Sequence, residues 1–115
     1  MHSKKVTLRE KPLLHNRKSL YLDFYPPIVH PKTGKMSRRL FLDLFIYAPV
    51  RFKVKKSGEL IPIYAEDSNE NHFREQHNAT STAMANHIFN EWRNKLFKPE
   101  IYTEFERKLL RQKEL

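Results

Sequence analysis

Four basic residues crowd a short stretch of the chain that also contains a proline and a glycine. Lys32, Lys35, Arg38 and Arg39 lie within eight residues, and no acidic residue separates them. Lysine and arginine side chains hold nucleic-acid phosphates, and arginine also reads guanine in the major groove. A solvated turn has a similar composition, so a single lysine here decides little. Four cations without an acid nonetheless favour an anionic partner.

The net charge of +9 is concentrated in the N-terminal half. Residues 1–56 contain 14 Lys or Arg against 3 acids, a balance of +11, whereas residues 57–115 contain 8 against 10, a balance of −2. Such asymmetry is typical of a chain whose basic half contacts nucleic acid or an anionic surface.

The sequence gives little indication of a metal site, a phosphate-binding loop or a catalytic nucleophile. The six histidines are scattered, and His72 and His77 are five residues apart, not the spacing that places two metal ligands on one helical face. The sequence has no cysteine, no glycine-rich phosphate loop and no glycine-flanked serine nucleophile. It therefore predicts no metal, no cofactor and no catalytic residue.

Three stretches have the alternation of β-strands: residues 6–11, 20–25 and 39–47. Successive strand side chains point to opposite faces, so each stretch has one apolar face and one mixed face. Pro31 and Gly34 predict a tight turn between the second and third strands, with Gly34 at positive φ. The simplest arrangement is an antiparallel meander.

Prolines and turn residues set the expected strand ends. Pro12 is expected to end the first strand, with Leu13 and Leu14 tucked under the sheet and a turn over residues 15–18. Pro26 and Pro27 should interrupt the pairing of the second strand.

The segment after the third strand is less regular. Residues 50–63 predict either a small second hairpin turning at Ser57-Gly58 or an ordered loop, and residues 66–75 predict an acidic, amide-rich loop.

A helix is predicted over residues 78–98, with Asn78 as its N-cap and Pro99 ending it. Its buried stripe is expected to comprise Met84, Ile88, Trp92 and Leu96, with Ala85, Phe89 and Phe97 beside them. Trp92 and Phe89 should lie at the centre of the core. Residues 103–106 have capping-box spacing and predict a second short helix carrying Phe105, Leu109 and Leu110.

The expected fold is therefore α+β: a three-stranded antiparallel β-meander packed against a helix, with a possible extra hairpin and a C-terminal linker helix. No apolar run approaches the roughly 20 residues of a membrane span. The N-terminus lacks the apolar segment of a signal peptide. We expect a soluble, intracellular protein.

The mixed face of the sheet is the expected binding surface. Asp23 and Asp43 are expected to be neighbours on it, where ion pairing with Arg9 or Arg39 is favoured over acid–base chemistry. The alternative is that Phe41 and Phe45 are covered by residues 50–63 as a second core. The face collects Thr7, Arg9, Lys11, Tyr21, Asp23, Tyr25, Arg39, Phe41, Asp43 and Phe45.

Several motifs together resemble the N-terminal arm-type DNA-binding domain of bacterial tyrosine recombinases, the integrases of phages and conjugative transposons. They are VTLREKP (6–12), RKSLYLDFYPP (17–27), HPKTGK (30–35), RRLFLDLFIY (38–47) and the His77-Asn78 pair, in the family's order. They extend over about two-thirds of the chain. The resemblance implies a three-stranded sheet, backed by a helix, that enters the DNA major groove. Residues 50–76 depart from the family's pattern, whose connection is shorter.

The resemblance also implies roles for the rest of the chain. Residues 1–98 would form the arm-binding domain, and residues 99–115 a linker helix toward core-binding and catalytic domains that this chain lacks. The family's nucleophilic tyrosine belongs to the catalytic domain, so this chain should not cleave DNA. The partner would be double-stranded arm-site DNA, in the bacterial cytoplasm with the nucleoid. The expected DNA-binding residues are Lys4, Lys5, Arg9, Lys11, Arg17, Lys18, Tyr21, Tyr25, Lys32, Lys35, Arg38 and Arg39.

Two functions of other classes remain open. Exposed aromatic side chains on a basic sheet could stack the bases of single-stranded RNA or DNA, although Asp23 and Asp43 argue against this. Tyr102, Phe105 and Leu109 could instead form a helix face for a protein partner.

Overall fold

The computed structural model describes residues 4–101, with side chains described for residues 4–96. Residues 5–13, 17–29 and 36–47 form a three-stranded antiparallel meander, and residues 51–54 and 60–63 form a separate two-stranded sheet. The α+β class, the meander and the second hairpin are confirmed. Residues 102–115, with most of the predicted linker helix, lie outside the described residues. The elements are β1 (Lys5–Leu13), β2 (Arg17–Val29), β3 (Met36–Tyr47), β4 (Arg51–Val54), β5 (Leu60–Ile63) and α1 (Ser68–Ile101).

One face of the meander, the helix-side face, packs against α1 as the alternation predicts. Phe24 and Leu22 are fully buried, and Val6 and Leu40 complete the buried cluster. The Trp92 ring meets the Phe24 ring nearly edge-on, with 5.1 Å between centroids. The helix contributes to the core through Ile88, Phe89, Trp92 and Leu96.

The prediction that Trp92 and Phe89 occupy the centre of the core is wrong, because both side chains are only partly buried. A single helix over three strands covers the sheet from one side. Its largest side chains therefore remain in contact with solvent, while Phe24 and Leu22 lie between the two layers.

The first hairpin is longer than predicted. β1 continues through Pro12 to Leu13, since β1 is an edge strand and tolerates a residue without an N–H donor. Leu13 and Leu14 are 43% and 80% exposed and do not tuck under the sheet. The turn is displaced toward the N-terminus, with His15 and Asn16 at φ of 62° and 53°.

Two irregularities interrupt the ladder between β2 and β3. Pairing shifts between Asp23 and Ile28, at the predicted Pro26-Pro27 interruption, and again between Leu20 and Tyr21. The second shift leaves an extra stretch of β3 in which Asp43 adopts a φ of 57°. Such bulges bend and twist a hairpin.

The turn between β2 and β3 is formed as predicted. His30 N donates to the Lys35 carbonyl at 2.8 Å, and Gly34 N donates to the His30 carbonyl at 2.9 Å. Gly34 has a φ of 71°, the left-handed conformation that glycine adopts without strain.

The helix begins ten residues earlier than predicted, so residues 68–75 are helical and not a loop. Asp67 caps it: the Asp67 carboxylate accepts from Glu70 N at 2.9 Å, and its carbonyl accepts from Asn71 N at 2.8 Å. Asp67 and Glu70 have capping-box spacing, a signal present in the sequence. Asn78 is an interior helical residue and not the N-cap.

The buried stripe of α1 also differs from the predicted one. Met84 is 50% exposed, whereas Ser81 and Ala85 are buried at 5% and 0%. Small side chains at these positions allow the helix to lie close to the sheet. The helix continues past Pro99 to Ile101, so Pro99 does not end it. Pro99 lies in the last turn, where few residues follow the helical hydrogen bond that its missing N–H removes.

Candidate nucleic-acid interface

The surface of the meander opposite α1, here called the outward face, is built by strand alternation. The strand register places Arg9 opposite Tyr21 and Asp23 opposite Arg39. Tyr21 in turn lies opposite Phe41, so one row across the three strands is Arg9, Tyr21 and Phe41, and the next is Thr7, Asp23 and Arg39. The predicted arrangement of Arg9, Tyr21, Asp23, Arg39 and Phe41 on one face is therefore present.

Asp23 organises one end of the outward face. Its side chain is only 14% exposed, and Arg9 Nε donates to its Oδ2 at 2.8 Å. An Arg38 Nη nitrogen lies 3.5 Å from Oδ1 of the same carboxylate. The two guanidinium-bearing side chains remain 50% and 63% exposed. One nearly buried carboxylate thus orients two accessible arginines, and the expected ion pairing of Arg9 is confirmed.

A shallow concavity surrounds this group. Lys5, Arg9 and Arg38 converge on it, and Asp23, Thr7 and Tyr25 line the remainder. Tyr25 is 55% exposed, so its ring and hydroxyl are accessible from outside. Three cations and a phenol around one recess can contact an anion or the edge of a base.

Tyr21 occupies a different position from the one expected of a DNA contact. It is only 7% exposed. The Arg39 guanidinium lies 5.3 Å from the centre of its ring, and the Phe41 ring lies 5.0 Å away. Tyr21 therefore supports Arg39 from below through a cation–π contact. Phe41 stays 39% exposed, and Lys11 lies 5.8 Å from its ring.

Phe45, which was expected on the outward face, is covered by the helix. The His77 ring lies 4.4 Å from the Phe45 ring, and His77 Nε2 is 3.0 Å from the Phe45 carbonyl oxygen. Arg17 lies over Phe45 at 5.4 Å. Phe45 is thus covered by α1 and not by residues 50–63, while Phe41 is left open.

Asn78 fastens the helix at the same place. Its side-chain oxygen accepts from Tyr47 N at 2.7 Å, and its amide nitrogen donates to the Tyr47 carbonyl at 3.0 Å. The His77-Asn78 pair therefore docks the interior of α1 onto the end of β3. Sequence reasoning placed the pair at the start of the helix and missed this role.

Asp43 is not a neighbour of Asp23, contrary to expectation, because Arg39 occupies the position opposite Asp23. Asp43 instead pairs with Lys32 of the turn at 3.2 Å, and both side chains are largely exposed. Asp43 lies about 23 Å along an extended strand from Met36, so the contact requires the bulged hairpin to curl back. Asp23 and Asp43 therefore do not form the carboxylate pair that their predicted positions suggested.

The remaining expected contacts are divided between faces. Lys35 is exposed in the turn, and Lys4 lies beside Tyr25 and Leu96 at the sheet edge. Lys18 lies on the helix-side face by strand alternation and pairs with Glu10 at 3.2 Å. It is therefore not part of the outward face.

The hairpin β4–β5, here called the arm, is held at its base by the helix. Arg51 donates to both oxygens of Glu66, at 2.8 and 3.2 Å. This hydrogen-bonded pair, with the attraction of opposite charges, raises the pKa of Arg51 and lowers the pKa of Glu66. Asn71 accepts from Tyr64 N at 2.7 Å, and Arg74 donates to the Tyr64 carbonyl at 2.9 Å.

Within residues 4–101, no group of three His, Cys, Asp or Glu side chains is arranged to hold a metal ion. No helix in this part of the chain is long and apolar enough to cross a membrane.

No protein-family model, curated protein or solved structure matches the chain. The resemblance to the arm-binding domains of tyrosine recombinases therefore stays a prediction from the sequence motifs. The function has to be inferred from the geometry of the outward face.

Proposed function

We propose that the outward face binds double-stranded DNA in a sequence-specific manner, with the meander in the major groove. The observation that carries this proposal is the fixed placement of three arginines on one sheet face. Arg9 and Arg38 are oriented by Asp23, and Arg39 is supported by Tyr21. In keeping with the resembled family, residues 1–98 would form the arm-binding module of a tyrosine recombinase, followed by a linker and without a catalytic role of its own.

The geometry of Arg9 suits base recognition. Its Nε donates to Asp23, which leaves the terminal nitrogens of the guanidinium available. These are the donors that contact guanine O6 and N7 in a bidentate manner. An arginine that is already oriented loses less conformational freedom on binding than a free one. Asp23 therefore acts by orienting Arg9 and Arg38. Little of its own surface is left to contact a base.

Backbone phosphates would be held by cations around the reading face. Lys5 and Lys11 flank it on β1, and Lys35 lies in the β2–β3 turn. Lysine is a mobile point charge and contacts phosphates without discriminating among sequences. Lys32 can join them once it leaves the exposed Asp43 carboxylate, an interaction that is weak at such exposure.

Single-strand binding is less well supported. A stacking platform needs aromatic faces open to successive bases. Tyr21 is nearly buried and Phe45 is covered by His77, so Tyr25 and Phe41 are the rings that remain open on this face.

The experiment is a gel-shift titration of the whole chain with a random-sequence duplex pool of about 30 base pairs, or three turns. Single-stranded DNA and duplex RNA of equal length serve as competitors, and the bound DNA is sequenced. We expect preferential binding of duplex DNA and enrichment of a guanine-containing motif. Equal or stronger retention of single strands would assign the face to base stacking. Absence of binding at low salt by a folded chain would favour a protein-interaction module.

A further inference from the structure

The arm contributes nothing to the outward face, yet its composition is as basic. Arg51, Lys53, Lys55 and Lys56 lie within six residues. We propose that the arm is a second DNA-contacting element, whose lysines hold phosphates beyond the stretch of duplex occupied by the meander. This inference rests on the proposed DNA binding of the outward face and assigns a role to the segment that departs from the resembled family.

The charges of the arm differ in how firmly they are engaged. Arg51 donates to both oxygens of Glu66 at the base. Lys55 lies 3.7 Å from Glu59 across the turn, an exposed pair weak enough to release Lys55 to a phosphate. No carboxylate among the described side chains, residues 4–96, pairs with Lys53 or Lys56. Because β4 and the turn are fully accessible, these ammonium groups can reach a ligand without rearrangement.

The arm also leaves much apolar surface exposed: all of β4 is exposed, and only Ile61, Pro62 and Ile63 of β5 are partly buried. Phe52, Val54 and Leu60 are 54%, 64% and 58% exposed, and the register places all three on one face. An isolated two-stranded hairpin is marginally stable in water, and exposed apolar clusters generally mark a contact surface. The contacts at its base hold the arm in place.

The lysines of the arm indicate whether its partner is a protein or a nucleic acid. Protein–protein interfaces are depleted in lysine relative to the rest of the surface. A duplex instead offers phosphates along both walls of a groove and apolar sugar and base surfaces between them. The arm is a narrow two-stranded ribbon with Lys55 and Lys56 at its turn, Lys53 on one face and Phe52, Val54 and Leu60 on the other, which matches that arrangement.

The position of the arm agrees with this role. Arg74 lies 4.7 Å over the Tyr47 ring at the end of β3 and also donates to Tyr64 at the base of the arm. The arm therefore starts where the outward face ends. Its four-residue strands span about 13 Å at the rise of a β-strand. That length corresponds to about four base pairs at 3.4 Å each.

The test compares the wild-type chain with the variant Lys53→Gln/Lys55→Gln/Lys56→Gln on the same random-sequence duplex pool, over a series of salt concentrations. Each lost phosphate contact reduces the slope of log K against log salt by about 0.9, so the triple variant should lose up to about 2.7. Hydroxyl-radical footprints on one duplex selected from this pool by the wild type should shorten by about four base pairs at one end. Lys95→Gln, on the distal part of α1, is the matched control and should change neither quantity.

The outcomes separate the two proposals. If the wild type binds duplex and Arg39→Ala weakens it while the triple variant keeps the wild-type slope and footprint, only the role of the arm is overturned. If the folded wild type binds no duplex, the proposed function falls and the role of the arm falls with it.

A contact between two copies of the chain is the other arrangement that an apolar arm face permits. Sedimentation of the free chain distinguishes it: a monomer supports the DNA role. A dimer that Phe52→Ser converts to monomers, with the salt slope unchanged in the lysine variant, would assign the arm to self-association.

Discussion

The outward face and the arm both carry basic side chains on β-strands, but they differ in how firmly those side chains are held in place. Both contain strands that carry cations together with exposed aromatic or aliphatic side chains. On the outward face each central arginine has a partner beneath it: Asp23 for Arg9 and Arg38, and Tyr21 for Arg39. On the arm, Lys53 and Lys56 have no such carboxylate partner among the described side chains.

This difference separates sequence-specific DNA recognition from nonspecific binding to phosphates. A guanidinium whose direction is fixed can meet one base edge and fail to meet another, so it discriminates among sequences. A lysine that samples many rotamers can follow any phosphate, and it contributes affinity without sequence preference. Both regions are rich in cations, and the contacts that support those cations distinguish them.

The largest expected effect compares two phenylalanines, one in each sheet. Phe24→Ala removes a fully buried ring and should lower the free energy of unfolding by about 3–5 kcal/mol. Phe52→Ala, at a side chain 54% exposed, should stay within about 0.5 kcal/mol of wild type. Denaturant titration followed by tryptophan fluorescence measures both. Similar losses would mean that the arm has a core of its own.

The attachment of α1 to the end of β3 is tested by a pair of asparagines on α1. Asn78→Ala leaves the Tyr47 N–H and carbonyl without their partner and should cost about 1–3 kcal/mol of unfolding free energy. Asn86→Ala, at an exposed position of the same helix, should cost little. The same denaturant titration serves as the measurement. Equal costs would show that the Asn78 contacts do not fasten the helix.

The distinction between oriented and mobile cations is tested directly by Arg39→Ala beside Lys35→Ala. Arg39→Ala should cost about 1–3 kcal/mol on the duplex selected by the wild type and much less on scrambled duplex. Lys35→Ala should weaken both duplexes alike and reduce the salt slope by about 0.9. Binding titrations at several salt concentrations measure these effects. Equal losses of affinity for both variants on both duplexes would mean that the outward face binds DNA by charge alone, without reading its sequence.

Two aspartates allow the same comparison without removing a cation. Asp23→Asn should lower the preference for selected over scrambled duplex by about 1 kcal/mol, because Arg9 and Arg38 lose their orienting carboxylate. Its affinity for scrambled duplex should rise, since a negative charge is lost. Asp43→Asn makes the same charge change at an exposed site and should leave the preference intact. A preserved preference in Asp23→Asn would exclude the positioning role.

The smallest effect concerns the base of the arm. Because Arg51 lowers the pKa of Glu66 in the folded protein, the pair stabilises the fold above the ordinary glutamate pKa. That contribution should disappear as the pH falls through the lowered pKa of Glu66. Amide resonances of Arg51 and Glu66 should shift over this acidic range in NMR spectra. The shift should be absent in Glu66→Gln, and its persistence there would assign it to another group.

Local patterns predicted much of this architecture correctly. Alternation in residues 20–25 and 39–47 identified both strands and the face that packs on the helix. Successive side chains of a strand point to opposite faces, so the face of each residue follows from its position along the strand. Gly34 identified its turn, since few residues adopt a positive φ without strain. The helix start was missed because Arg74, His77, Asn78 and Ser81 make the first half of the contact stripe polar.

The candidate site depended on contacts between residues distant in sequence. The basic composition of the first 56 residues indicated an anionic partner, and the alternation of strand side chains placed Arg9, Asp23 and Arg39 on one face. The burial of Tyr21 beneath Arg39, the closure of Phe45 by His77 and the separation of Asp43 from Asp23 followed from two bulges and a helix docked across the strands. Strand register and helix placement are set by packing the whole chain at once, so the tertiary structure alone decided which cations are oriented and which remain free.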